Sequence, residues 1–230
     1  PPRSTLFPYT TLFRSAVEEI KADMLAVHLN SLQEVSQPEG DLFFKDGIST
    51  LKKLKENLEF PLIVKETGAG ISKETAETLK FLDGVDVAGV GGTSWSAVEY
   101  YRSKQHKETV MKLWNWGIPT PLSIAECKAA GIKTVIGSGG VRTGFDIAKC
   151  IALGATACGI ALPFLKLAVE ENVDGLVEKI EAIKREFKIA MFLNSCQSPS
   201  DLKNRPLFLT GDLSKLMHQR GMDFHYFNYR

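Results

Sequence analysis

Cysteine is scarce in this chain and net charge is nearly absent, and each scarcity closes off a class of function. The four cysteines, Cys127, Cys150, Cys158 and Cys196, include no C-x-x-C pair, so neither a disulfide scaffold nor a zinc centre has its usual frame. The first three fall in apolar stretches and read as small buried hydrophobes, as expected of reduced thiols in a cytoplasmic protein. Lys and Arg number 28 against 27 Asp and Glu, a net charge of +1. No global field draws in nucleic acid, so any phosphate recognition must be local. Long hydrophobic runs are missing too; none nears the roughly 18–20 residues that a membrane-spanning helix needs. What remains is 230 residues, 44% hydrophobic and 24% charged, the composition of one globular domain or part of a larger one.

Residues 1–15, P-P-R-S-T-L-F-P-Y-T-T-L-F-R-S, contain no acid, repeat T-L-F at 5–7 and 11–13, and carry no evident helical or strand period. They read as a non-native or disordered segment resembling translated adapter DNA, and are set apart from fold reasoning. The domain is expected over 16–222, followed by an aromatic tail at 223–230 to which no function is assigned.

From residue 16 onward, short apolar runs alternate with helical periods, the pattern of a parallel sheet with crossover helices. Five strands are expected, at 23–30, 61–66, 85–91, 134–138 and 158–161. Ser72 is a suitable N-cap for the helix after the second strand, and Gly84 a suitable C′ residue. Pro119 and Pro121 open a helix that ends at Gly131. The final helix carries an apolar stripe of Val173, Leu176, Val177, Ile180, Ile183 and Phe187 opposite charged residues. An excursion rich in aromatics, 95–116, reads as a packed loop or an inter-subunit surface. A closed eight-stranded barrel takes about 250 residues, so five units make either a small open sheet or a truncated barrel.

In both architectures ligands bind beyond the carboxyl ends of the strands, and there polar residues accumulate. The run G-G-V-R-T-G at 139–144 joins a strand to a helix; its glycines let amides approach an anion that Arg142 can neutralise. It matches neither a dinucleotide fingerprint nor a Walker loop. Lys65 closes an apolar strand, where a cation needs a ligand or a carboxylate; pairing with Glu66 or snorkelling are the alternatives. His28, Asn30, Gln33 and Glu34 make an oxygen-rich mouth suited to Mg²⁺ held by one carboxylate and a substrate phosphate, although S-L-Q-E is also an ordinary helix start.

The runs H-L-N-S-L-Q-E at 28–34, V-K-E at 64–66, G-G-T-S-W at 91–95, G-S-G-G-V-R-T-G-F-D at 137–146, A-L-G-A at 152–155 and A-L-P at 161–163 together resemble the FMN-dependent type 2 isopentenyl-diphosphate isomerases over most of residues 20–222. The resemblance implies an α/β fold of the TIM (β/α)8 type, truncated to about five of eight units. It implies interconversion of isopentenyl and dimethylallyl diphosphate by an allylic proton shift, with FMN, Mg²⁺ and NADPH as reductant, in a homo-oligomer. Carried over by position, Gln33 is the catalytic residue beside the hydrocarbon end of the substrate, with His28 and Asn30 in the same pocket, and Glu34 holds Mg²⁺. Lys65 contacts the flavin ring and Thr93 bonds the cofactor, while Gly140, Arg142 and the backbone at Ala161 and Leu162 hold its phosphate. The family often has serine where this chain has Ala88, and its first three units have no counterpart in residues 1–22. The alternatives are an FMN-dependent 2-hydroxyacid oxidase, for which the G-G-T turn lacks the histidine base, and a non-catalytic fragment with weak flavin binding.

Overall fold

The computed structural model describes residues 7–102, 107–170 and 172–222. The expectations for residues 1–6 and for the tail at 223–230 lie outside the described residues. Five parallel strands, β1 (Leu25–His28), β2 (Leu62–Lys65), β3 (Gly84–Asp86), β4 (Thr134–Gly137) and β5 (Ala157–Cys158), pair in the order β1-β2-β3-β4-β5. Each strand sits beside its predecessor, with no point where the order reverses. Right-handed crossovers in such a sheet place every connecting helix on the same face, and the carboxyl ends of the strands are left for ligands. This is an arc of a barrel, not a doubly wound sheet.

The connections are α2 (Ser31–Ser36) and α3 (Gly47–Asn57) after β1, α4 (Lys73–Thr78) after β2, and α5 (Trp95–Arg102), α6 (Lys107–Lys112) and α7 (Thr120–Ala129) after β3. Helix α8 (Gly144–Ala152) follows β4, and α9 (Leu162–Val169) and α10 (Val173–Leu193) follow β5. A 3-10 turn at Pro199–Asn204 and α11 (Gly211–Gln219) complete the described chain. Strand residues alternate between faces. Leu62, Val64, Val85 and Val135 therefore turn to the helical layer, where they are fully buried with Ile124 and Leu79. Each such side chain contributes roughly 1.5–3 kcal/mol by leaving water.

Local signals account for several boundaries. Ser72 caps α4, its hydroxyl accepting from the Thr75 amide at 3.2 Å. Helix α7 opens at the expected prolines, and Gly131 follows it at φ +88°. Gly84, in contrast, is not a helix terminator. Helix α4 stops at Thr78, and Gly84 lies buried in β3, where an added Cβ would sit 2.7 Å from the Thr134 carbonyl oxygen.

Two further expectations are corrected. Residues 7–19 form a helix, α1 (Phe7–Glu19), despite their irregular pattern; Pro8 falls in its first turn, where a missing N–H breaks no helical bond. Val17 is buried, Phe13 packs on the core, and Arg14 Nη2 donates to the Asn57 carbonyl at 2.7 Å. The stripe of α10 is divided: Ile183 is buried and Phe187 packs on the core, but Val173, Val177 and Ile180 are 68%, 55% and 45% exposed. Helix α10 packs on α8 beside β5, an edge strand with a neighbour on one side only, so half of its apolar surface finds no layer to cover it. No helix among the described residues is long and apolar enough to cross a membrane.

Candidate active site

An open cavity of about 460 Å³ lies beyond the carboxyl ends of the strands. His28, Gln33, Lys65, Thr93, Gly140, Arg142, Ala161 and Leu162 all line it, although they come from five separate strand ends. Asn30 and Glu34 do not. They stand at the rim on the α2 side, where Asn30 Nδ2 donates to Glu34 Oε1 at 2.6 Å and the Asp41 amide donates to Oε2 at 2.7 Å.

The register of the sheet explains the convergence. His28 is level with Lys65, and Lys65 with Asp86, so the three side chains share one layer of the concave face. His28 Nε2 bonds the Thr67 hydroxyl. Partial burial lowers the His28 pKa, as does the positive charge of Lys65, while Glu34 opposes both. Lys65 does not pair with Glu66. That carboxylate is buried, and its Oε2 accepts from the Thr67 amide and, at 2.9 Å, from the Ala69 amide. Burial pushes the Glu66 carboxyl up, against those amides and the more distant Lys65 charge.

At the other end of the cavity two glycine turns interlock. Gly91 has φ +148°, Gly139 +97° and Gly140 +83°, conformations that side chains rarely adopt. An added Cβ on Gly140 would lie 2.3 Å from the Gly91 carbonyl oxygen, and one on Gly139 would lie 2.1 Å from that of Gly89. Arg142 spans the join, donating through Nη1 to the Gly140 carbonyl at 2.8 Å and through Nη2 to that of Gly91 at 3.2 Å.

The start of α8 is not the anion site that its strand-loop-helix placement implies. The amides of Arg142 and Thr143 donate to Asp146, at 3.2 and 3.1 Å, and that of Gly144 to Glu186 at 2.7 Å. Asp146 and Thr143 form a reciprocal capping box. The amides that can face an anion are instead those of the Gly139–Gly140 turn and of the start of α9, whose N-cap Ala161 has no side-chain acceptor. With Arg142 alongside, this cradle fits a phosphate monoester.

Glu66, Trp95 and Ser138, which fall in the sequence runs without a role of their own, also line the cavity, and Thr67 and Asp86, which line it too, escape the sequence reading. So does Glu99. It is 2% exposed, on α5, and accepts from Gln33 Nε2 at 3.3 Å, Gln37 Nε2 at 2.9 Å and Arg102 Nε at 2.6 Å. Burial raises its pKa, but the bonds from Gln37, Arg102 and Gln33 prevail and hold the carboxyl below its usual range. The sequence signal was a carboxylate inside an aromatic helix, which alternation alone assigns to solvent. No group of three or more His, Cys, Asp or Glu side chains able to hold a metal occurs among the described residues. A lone Glu34 suits Mg²⁺ only where a ligand's phosphates and water complete the coordination. In the aromatic excursion Tyr100 is edge-on to Tyr101 and Trp114 at ring separations of 5.1 and 5.3 Å, while Tyr101 and Trp116 remain exposed.

The chain is similar to several known proteins. The isopentenyl-diphosphate delta-isomerase of Thermococcus kodakarensis is 44% identical over 209 residues, covering 89% of this chain and 56% of its own. Those of Archaeoglobus fulgidus and Methanocaldococcus jannaschii are 45% and 46% identical, with 60% and 59% of their lengths matched. The chain thus spans somewhat over half the length of these relatives. Among solved structures, a mandelate oxidase variant with a monooxide FMN adduct superposes with a TM-score of 0.60 at 18% identity, covering 87% of this chain and 59% of that one. A mandelate oxidase with benzoyl-formic acid gives the same score. At such identity this likeness concerns the fold, a TIM barrel of which five units are present here. The profile of the FMN-dependent dehydrogenases matches residues 44–208, and the chain belongs to that family.

Proposed function

We propose that residues 16–222 form the carboxyl-terminal part of an isopentenyl-diphosphate delta-isomerase, which interconverts isopentenyl and dimethylallyl diphosphate in isoprenoid synthesis with FMN as cofactor. The observation that carries this reading is the convergence on one cavity of eight residues from five separate strand ends. The similarity to named isomerases over 89% of the chain supports it.

In this reading the Gly139–Gly140 turn, Arg142 and the amides at Ala161 and Leu162 hold the FMN phosphate, Lys65 meets the ring, and Thr93 bonds the cofactor. Reduced FMN supplies proton donation and acceptance at the isoprene carbons, with no net redox change. Gln33, held by Glu99, lies beside the hydrocarbon end of the substrate and orients it. His28, whose pKa burial and Lys65 lower, can hydrogen-bond the allylic diphosphate, and Asn30 fixes the Glu34 carboxylate. Glu34 holds Mg²⁺ against the diphosphate and offsets its charge. The apolar walls keep water from the electron-poor transition state. NADPH serves as the reductant that maintains reduced FMN. Four free thiols support a reducing compartment, the cytoplasm, and a homo-oligomer is the assembly we expect. A 2-hydroxyacid oxidase needs a histidine base after β3, and Gly91, Gly92 and Thr93 offer none.

The test joins this chain to the amino-terminal part of the Thermococcus kodakarensis relative and supplies reduced FMN, Mg²⁺ and isopentenyl diphosphate. Formation of dimethylallyl diphosphate is expected. A flavin-bound protein that leaves isopentenyl diphosphate untouched and oxidises a 2-hydroxy acid overturns the reading.

A further inference from the structure

Asp86 is a carboxylate on the floor of the cavity that none of the roles above uses. It lies on β3, level with Lys65 of β2 on one side and Ile136 of β4 on the other. Both hydrogen bonds it accepts fall on Oδ1, from the Ala88 amide at 3.3 Å and from the Ser138 hydroxyl. Oδ2 takes neither. Burial pushes the Asp86 carboxyl up, while Ser138, the Ala88 amide and the charge of Lys65 oppose it. A carboxylate in that position costs free energy unless its remaining acceptor capacity meets a donor.

The order of the strands says which donor. Because the sheet runs β1 to β5 without reversal, the cavity presents its chemistry in sequence: Lys65 on β2, Asp86 on β3, Ser138, Gly140 and Arg142 at β4, then Ala161 and Leu162 at β5. Neighbouring strands are about 4.8 Å apart, so roughly 10–14 Å separate the cation at β2 from the anion cradle at β4 and β5. A molecule that places a phosphate in the cradle and a ring at Lys65 must lay its connecting chain across Asp86 and Ser138. An apolar linker there strands a buried acceptor, and an anionic one meets like charge. A chain of hydroxyls satisfies it.

We propose that Asp86, with the Ser138 hydroxyl beside it, is the receptor for the polyol linker of the flavin, Oδ2 accepting a ribityl hydroxyl. This rests on the FMN reading and extends it to residues that selectively recognise the part of the cofactor between ring and phosphate. Ser138 and the Ala88 amide both hold Oδ1, which fixes the carboxylate at the cavity wall and leaves Oδ2 available to a donor.

The test compares FMN with an analogue that keeps the ring and the terminal phosphate but carries a hydroxyl-free pentyl chain, titrated into the chain by flavin fluorescence. The unsubstituted chain is expected to bind FMN about tenfold more tightly than the analogue, the worth of one hydrogen bond to a charged acceptor. Asp86→Ala should weaken FMN by a similar factor and leave the analogue within about twofold, erasing the preference. Asp86→Asn, nearly isosteric and able to keep the Ser138 contact, replaces the charged acceptor with a neutral amide donor and should diminish the preference to about threefold or less, so a folding defect of the alanine variant does not obscure the result. Equal weakening of both ligands, or an undiminished preference in Asp86→Asn, overturns the proposal. If the unsubstituted chain binds both flavins equally, this inference alone fails; if it binds neither, the FMN reading fails and takes this one with it.

Discussion

Arg142 donates through Nη2 to the carbonyl of Gly91, 51 positions earlier in the chain, and so ties the loop after β3 to the loop after β4 at the mouth of the phosphate cradle. Its side chain is exposed and the bonds it makes are to carbonyls, so its replacement leaves the core intact.

Arg142→Ala is therefore expected to reduce FMN affinity by about tenfold or more, the worth of a charge-assisted contact to phosphate, while moving the melting temperature little. Arg142→Lys should restore only part of the affinity, since an ammonium cannot bridge both carbonyls and an anion as a planar guanidinium can. Flavin fluorescence titration and thermal melts of the same samples separate the two effects; unchanged affinity in Arg142→Ala would remove the cradle.

Glu34 stands at the rim, with Asn30 and the Asp41 amide on its two oxygens. Glu34→Gln should weaken Mg²⁺-dependent diphosphate binding by about tenfold and leave FMN binding unaltered, because no part of the flavin cradle touches it. Isothermal titration with isopentenyl diphosphate, with and without Mg²⁺, reads this directly. Equal loss of both ligands contradicts the assignment.

Glu99 acts through Gln33. Glu99→Ala leaves the Gln33 and Gln37 amides without their common acceptor, and turnover in the complete enzyme should drop on the order of 10–100-fold through lost positioning. The FMN dissociation constant should stay the same, and the effect should fall on kcat more than on KM. Glu99→Gln, which retains an acceptor, should recover part of the rate; a variant that loses flavin and rate together would show a merely structural role.

Arg220 joins α11 to the body of the fold. Its Nε meets Glu126, 1% exposed, at 2.6 Å, and its Nη2 lies 2.7 Å from each Glu74 oxygen. Arg220→Ala leaves the Glu126 carboxylate buried beside only the Lys73 amide. The expected loss is about 2–3 kcal/mol, below the full range for buried pairs because the guanidinium is 38% exposed. The Arg220 hydrogen bonds, with its own amide and the Ser72 hydroxyl, lower the Glu74 pKa from 4.5 to about 2. A depressed carboxylate stabilises the fold above its unfolded pKa, and that contribution is lost as pH falls through the folded value. Denaturation should therefore ease between about pH 4.5 and 2, and Arg220→Ala should flatten that part of the profile. A profile identical in both proteins refutes the coupling.

How far the sequence could be read follows from these residues. His28, Gln33, Lys65 and Arg142 were legible because a polar residue at the end of an apolar strand marks the ligand face in any parallel α/β sheet. Asp86 was not, since V-D-V is also the pattern of a strand with one wet side; only the curvature of the sheet turns that side inward. Glu99 was hidden by its distance of 66 positions from Gln33 and by the aromatic helix around it. Which amides near 139–144 remain available to a ligand was not legible, because helix termini read alike from sequence, whether capped by Asp146 and Glu186 or left open. Helix α1 and the bare side of α10 depend on which neighbours pack against them, information that local periodicity does not contain.

The dovetailed loops at Gly91 and Gly140 carry a consequence for how this protein can change. A Cβ on Gly140 would fall 2.3 Å from the Gly91 carbonyl oxygen, so a replacement at Gly140 displaces the loop after β3 as well as its own. An evolutionary route that puts a side chain at Gly140 must therefore move both loops in step.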